Sequence, residues 1–477
     1  MRLGVGATID RRGAMCGGAA VLATLSAGRS SAATAGQVEA VIEGPIPGGP
    51  FYTGGRAGGT IDDLRRHGYV EEEYFVSGTV DGRPWLTTLL VRRPADDRRF
   101  SGLVMVEPVH VGGASVIWPY GGEVLMSGGH GYALLGAQRI PLNQAIRPVN
   151  PARYANLTLP EATPEAIAAI PLSGVLAAAP PELAGQLRAS VAEGPTSHEI
   201  ISQTGALLKS RARAGPFRRP VRWLVTGGYS QTGQLTLNYL RGAAQKARLA
   251  SGGPVYDGYL PLGSSGETPV PQHPGKVIQA LGEGDYTNYA ATRRDAYRRP
   301  DSDAPGDRYR LYEIAGGSHV PTRGAALTAE ARANYAPGER PGQFPSPMIY
   351  GAAIANLLAW VMKDIPPPRA ERLKLNADGS VARDVYGNAL GGVRSSYLDV
   401  PFAQHIAVAP ARAGGFDRNF FGLEVPLPMQ TLRRLYPTHA VYVQKVTASI
   451  DGLVRDRWLL KADGEALKRE AEAAGIP

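Results

Sequence analysis

The 477-residue sequence holds one cysteine, Cys16, which rules out an internal disulfide framework and any zinc site built from several thiolates. No apolar run approaches the roughly 20 residues that a membrane-spanning helix requires, so no membrane span is expected. Basic runs interleaved with aromatic residues are missing as well. The formal charge of +9, from 51 Lys and Arg against 42 Asp and Glu, is scattered along the chain and is read as surface solvation, with no nucleic-acid partner. No H-E-x-x-H, carboxylate cluster or internal repeat occurs, and neither a metal nor an organic cofactor is expected. What remains is the composition of a globular chain: 43% hydrophobic, 19% charged, with 60 glycines and 39 prolines that point to many tight turns.

The N-terminus carries an address. Arg11 and Arg12 precede a weakly apolar segment, Ala14 to Ala27, and an Ala-x-Ala site at Ala33 to Ala35. This pattern is that of a twin-arginine signal over residues 1–35. It predicts the twin-arginine export machinery as a partner and a periplasmic or secreted location. Cys16 lies inside the signal, and the preceding Gly-Ala-Met lacks the pattern of a lipid-anchor site. The mature chain would then have no cysteine and no thiolate chemistry.

Downstream, Tyr69 to Pro94 is two strand-like stretches joined at Asp81-Gly82-Arg83, a hairpin signal. Apolar strands are expected at Leu103–Pro108, Tyr132–Gln138, Val221–Gly227, Tyr256–Gly263, Lys276–Gly282 and Tyr309–Gly317. Helical periodicity fills Thr196 to Ala214, opened by Ser197 as N-cap, and Gln231 to Ala250. A hairpin followed by buried strands and crossover helices predicts an α/β fold: a mostly parallel central sheet with helices on both faces. Residues 140–195 are Pro-rich, with one short helix at "PEAIAAI", and read as a loop-rich cap insertion. From residue 366 onward, "NADGS" and "VYGNALGG" are turn signals ahead of terminal helices. The first resembles a fragment of a calcium loop without its remaining ligands and is read as a turn. The expected organisation is the signal at 1–35, a catalytic domain at 36–365 with its insertion at about 140–195, and a C-terminal extension at 366–477 packed on that domain.

Chemistry on such a sheet belongs just after the strand ends. "VTGGYSQTGQL", Val225 to Leu235, puts Ser230 between a strand and a helix, where a sharp turn exposes the hydroxyl beside the backbone N–H groups that open the helix. The motif is G-x-S-x-x-G: Thr232 stands where a second glycine is usual, and Gly233 follows it. Taken alone, Ser230 could also be a turn residue. Gly228 and Gly233 have the glycine spacing of a phosphate loop, but Gln234 replaces its lysine.

A serine nucleophile needs a base, and His319 in "EIAGGSH" follows the last strand of the sheet. His67, His130, His198, His273, His405 and His439 are read as structural. The acid that orients the imidazole is expected after the preceding strand, where "GEGDY" offers Glu283 and Asp285, with Asp285 favoured by its spacing from Gly282. His110-Val111-Gly112-Gly113 after the first parallel strand suggests an oxyanion hole made by the backbone N–H groups of Val111 and Gln231. Its glycines would equally serve close packing.

With those residues placed, the chain resembles the bacterial alpha/beta-hydrolase domain-containing family of the α/β-hydrolase superfamily. The likeness runs through "MVEPVHVGG", "GYALLGAQR", "NPARYANL", "GGYSQTGQL", "VYDGYL", "EIAGGSH" and "RDVYGNALGGVR", from about residue 100 to the C-terminus. It implies an α/β-hydrolase fold and carries the nucleophile and base onto Ser230 and His319, while leaving the acid open. His110 departs from the asparagine often found in the family's loop, which bears on a side-chain contribution to the oxyanion hole and not on the backbone one. The elbow is also similar to that of glucuronoyl esterases. The implied activity is that of a serine hydrolase cleaving a small-molecule carboxylic ester through an acyl-enzyme. The alternatives are an acyltransferase using the same triad and a catalytically silent carbohydrate- or ligand-binding protein on a hydrolase scaffold.

Overall fold

A computed structural model describes residues 30–32, 40–56, 61–172, 179–210, 215–266, 268–289, 295–323, 332, 335–336, 339–409 and 420–477. The signal expected at 1–35 therefore lies outside the described residues, except for 30–32.

The apolar stretches form one 11-stranded sheet. In chain order its strands are β1 (Ser30–Ala32), β2 (Ala40–Glu43), β3 (Tyr69–Val80), β4 (Arg83–Pro94), β5 (Leu103–Pro108), β6 (Gly131–Leu135), β7 (Trp223–Tyr229), β8 (Gly258–Leu262), β9 (Lys276–Gly282), β10 (Ser302–Ala304) and β11 (Asp307–Ile314). Across the sheet the order is β1-β2-β3-β4-β6-β5-β7-β8-β9-β11-β10. From β6 through β11 the neighbours are parallel, while β1 to β4 and β10 pair antiparallel. The β3–β4 hairpin closes at Asp81 and Gly82, both with positive φ (49° and 73°) as a two-residue turn matching strand twist requires.

β5, β6, β8 and β9 are buried at every position, the pattern of strands covered on both faces. The helices Trp118–Ser127 and Ser346–Lys363 pack together on one side, and Gly194–Lys209 packs with Gln231–Arg241 on the other. No helix among the described residues is long and apolar enough to cross a membrane.

Several local expectations are corrected. The helix expected from Thr196 begins at Gly194, so Ser197 is buried within its first turn and donates its hydroxyl to Glu193 O instead of capping. It ends at Lys209, and 211–214 lie outside the described residues. The helix from Gln231 ends at Arg241, because Gly242 adopts a non-helical φ of −117° and ψ of −99°; a short turn, Ala243–Lys246, follows. The 140–195 stretch has more helix than its prolines suggest: besides Pro164–Ala168 it contains Pro181–Ala192, where Pro181 occupies the first turn and needs no N–H partner.

Beyond residue 366 the turns at 376–379 and 384–388 lead to β13 (Ala403–Ile406) and β14 (Leu423–Pro426). These form a second sheet with β12 (Arg340–Pro341), in the order β12-β14-β13. The helices Met429–Leu435, His439–Arg455 and Lys461–Ala473 end the chain. Trp458 stacks edge-on against Tyr312 of β11 at 4.9 Å, and Asn356 donates to Arg457 O at 2.9 Å, so this region packs on the main sheet.

Candidate active site

Ser230 sits between β7 and the helix Gln231–Arg241 with φ 57° and ψ −119°. A serine there is strained by about 1–3 kcal/mol and persists only if its surroundings impose the conformation. They do so through four bonds: Ser230 N to Leu262 O (2.9 Å), Gln234 N to Ser230 O (2.9 Å), Tyr229 N to Thr232 Oγ1 (3.0 Å) and Thr232 Oγ1 to Tyr229 O (3.0 Å). Thr232 thus holds the turn with its hydroxyl. Gly228 makes room for it, since a Cβ there would stand 2.4 Å from Thr232. Gly233, one position late, lets the helix lie against β8: its Cβ would come 2.2 Å from Leu262 O.

Ser230 Oγ lies 2.9 Å from His319 Nε2. His319 Nδ1 meets Asp285 Oδ1, whose other oxygen accepts from Gly282 N at 2.7 Å. Because Oδ1 accepts a hydrogen bond from Nδ1–H, Nε2 of the neutral ring is left as an acceptor for the serine hydroxyl. Asp285 is fully buried, His319 is nearly so, and Tyr229 fixes the histidine loop by donating its hydroxyl to His319 O at 2.6 Å.

Glu283 does not reach the imidazole. It opens the helix Glu283–Tyr289, and residues two apart on a helix face different sides. Its Oε2 accepts from Gly316 N at 2.8 Å, and its Oε1 pairs with Arg383. Burial pushes the Glu283 carboxyl up, opposed by Arg383 and the Gly316 N–H.

Of the two expected oxyanion donors, the Gln231 N–H has no hydrogen-bond partner among the described residues. The Val111 N–H donates to the Gln231 side-chain Oε1 at 3.3 Å. His110 turns back on its own loop, its Nδ1 accepting from Gly112 N at 2.9 Å, and burial together with nearby His319 pushes it down to about 4.

Three residues around the site escaped sequence reasoning. Glu107, the carboxylate in the otherwise apolar β5, is fully buried and accepts from Val116 N, Ile117 N (2.9 Å) and Tyr132 OH, which fixes the loop carrying Val111. A charge inside an apolar strand was the available signal. The side-chain amides of Gln138 and Gln231 exchange hydrogen bonds, and Tyr229 reaches the histidine loop; neither has a sequence signature. Among the described residues no group of three His, Asp or Glu is placed to hold a metal.

A serine on a strand–turn–helix elbow, in a mostly parallel sheet with the histidine loop after the last parallel strand, defines the α/β-hydrolase class. The family model for the alpha/beta hydrolase domain matches residues 42–469, and the chain belongs to that family. Similar solved structures include a candidate dienelactone hydrolase from Klebsiella pneumoniae subsp. pneumoniae, 13% identical over 62% of this chain and 99% of that one, TM-score 0.30. A promiscuous CE15 esterase from a marine bacterial metagenome is 11% identical over 60% and 83%, TM-score 0.29. A poly(3-hydroxybutyrate) depolymerase from Bordetella parapertussis is 8% identical over 63% and 91%, TM-score 0.25. No curated protein matches the chain. The assignment to the family rests on the family match.

Proposed function

We propose that this α/β hydrolase is a serine hydrolase cleaving small-molecule carboxylic esters through an acyl-enzyme. The observation that carries the reading is the continuous hydrogen-bonded line from Ser230 Oγ through His319 to Asp285, assembled from three strand ends around a strained serine. Ser230 Oγ attacks the ester carbonyl while its proton passes to His319 Nε2. Asp285 holds the Nδ1 proton and stabilises the imidazolium. The developing oxyanion takes the N–H of Gln231 and, displacing the Gln231 Oε1 that accepts it in the free enzyme, the N–H of Val111, each such donor being worth roughly 3 kcal/mol in the transition state. His319 then gives its proton to the departing alcohol, leaving Ser230 acylated. Water, deprotonated by the same nitrogen, attacks the acyl carbon, and as the bond to Ser230 Oγ breaks His319 returns that proton to Oγ and the acid is released.

The test is hydrolysis of p-nitrophenyl esters, acetate through octanoate, together with labelling by a serine-directed phosphonate. Wild type is expected to turn over and to be labelled. Ser230→Ala should lose both, and His319→Ala and Asp285→Ala should lose at least about 1,000-fold in kcat. A folded wild type that neither hydrolyses any of these esters nor takes up the phosphonate overturns the reading.

A further inference from the structure

The stretch Arg383 to Arg394, Arg-Asp-Val-Tyr-Gly-Asn-Ala-Leu-Gly-Gly-Val-Arg, takes no part in the proton relay, yet it is tied to the elements that carry it. Val393 pairs alongside Ile314 at the end of β11: its N–H donates to Glu313 O at 2.7 Å, and its carbonyl accepts from Ala315 N at 3.1 Å. Gly392 allows this approach, with φ 69° and a position where a Cβ would stand 2.5 Å from Glu313 O. Asn388 holds the turn to the small sheet by accepting from His405 N at 2.8 Å and donating to Ala403 O at 3.1 Å. The other end of the stretch is Arg383, whose guanidinium pairs with Glu283.

Glu283 stands where the two loops of the site meet. One oxygen holds the Gly316 N–H, three residues before His319, and Gly284 N donates to Gly317 O at 2.9 Å beside it. The Glu283 side chain is 1% exposed and that of Arg383 is 38% exposed. An ion pair between two exposed groups contributes little, but a buried carboxylate stripped of its cation is left uncompensated, and it must then take up a proton or draw water into the site.

We propose that Arg383, acting through Glu283, is a positioning residue, and that the stretch 383–394 clamps the loop 315–319 so that His319 stays in line with Asp285 and Ser230. This rests on the reading of Ser230, His319 and Asp285 given above. A glutamine at 283 keeps an oxygen for Gly316 N–H and needs no cation, so it should make Arg383 dispensable.

The experiment compares full-length wild type, Arg383→Ala, Glu283→Gln, Glu283→Ala and the double variant Glu283→Gln/Arg383→Ala. It measures kcat and KM on a p-nitrophenyl ester and amide hydrogen exchange across 313–320. Arg383→Ala and Glu283→Ala should each lower kcat about 10- to 100-fold with KM changed less than about 3-fold, as a small displacement of the base predicts, and should speed exchange in that loop. The double variant should return both readouts to the Glu283→Gln level. Unchanged kcat and exchange in Arg383→Ala, or losses that Glu283→Gln does not reverse, overturn the clamp. If wild type hydrolyses no ester, the function reading fails, while loop exchange in the same variants still decides the clamp.

Discussion

Val111 gives its N–H to the side chain of Gln231, and the orientation of that amide is fixed by a chain of partners. Gln138 Nε2 must face Val109 O (2.9 Å), which turns Gln138 Oε1 toward Gln231 Nε2 (2.7 Å) and leaves Gln231 Oε1 facing Val111 N. The pair therefore ties the loop at 109–113 to the elbow carrying Ser230. Replacing Gln138 by Ala frees the Gln231 amide and lets the Val111 N–H drift. We expect kcat for ester hydrolysis to fall about 10- to 100-fold, less than loss of a whole oxyanion donor, with little change in KM. Steady-state kinetics with a p-nitrophenyl ester check this, and an unchanged kcat would show that the amide pair does not set the donor. At this scale the sequence displayed the groups that stand at strand ends, Ser230, His319, Glu283 and Asp285, because strand ends can be read from apolar runs. Spacing from Gly282 favoured Asp285 over Glu283 without deciding between them, because their facing depends on a helical turn that begins at Glu283. Gln138 and Tyr229 act through contacts 93 and 90 residues distant, and no local pattern reports those.

Elements meet at the site backbone to backbone. The start of the helix Glu283–Tyr289 lies so close to the histidine loop that a Cβ on Gly284 would stand 2.9 Å from His319 N and 3.2 Å from Ala407 O. Both neighbours are main-chain atoms and not the end of a flexible side chain, so neither yields cheaply. Gly284→Ala should destabilise the fold by roughly 1–3 kcal/mol, as overpacking does, and should cut activity by more than its loss of stability accounts for, because the displaced atom belongs to His319. Urea denaturation beside kcat/KM separates the two effects; a variant as stable and active as wild type would mean the loops can part freely. The central strands were legible because covered strands read as mostly apolar runs, and β5 and β9 match expectation residue for residue despite Glu107 in the one and Lys276 and Gln279 in the other. Helix ends were not, since Ser197 had cap chemistry without the cap position and Gly242 stopped a helix whose apolar spacing continued past it. The strands β12 to β14, two to four residues long, are too short to show a period of any kind.

Over the whole molecule, the histidines outside the relay are mostly buried as neutral rings, which couples stability to pH. Desolvation pushes His130 and His198 down to about 4 and His405 down to about 3. His405 is the extreme case: 1% exposed, ringed by Phe344, Tyr397 and Phe402, with both ring nitrogens unpaired among the described residues and Glu424 Oε2 3.9 Å away. A folded pKa below the unfolded value near 6.5 means that the unfolded chain binds the proton first. The neutral ring's contribution is therefore complete above about pH 6.5 and is lost as pH falls toward the folded value. Between pH 7 and 4.5 His405 alone should withdraw roughly 2–3 kcal/mol. Glu107 and Glu283, held above the ordinary carboxylate range by burial, act in the opposite sense: their contribution is present at low pH and declines as pH rises through their folded values. They therefore act against the acid loss. His405→Phe, a ring of similar size that cannot take a proton in a pocket already lined with aromatics, should leave stability at pH 7 within about 1.5 kcal/mol of wild type. It should also flatten the decline toward pH 4.5 by about the share given above. Urea midpoints at the two pH values decide it: equal slopes for wild type and His405→Phe would show that His405 is not buried as the neutral ring, and that the histidine share of the acid sensitivity lies with His110, His130, His198 and His273.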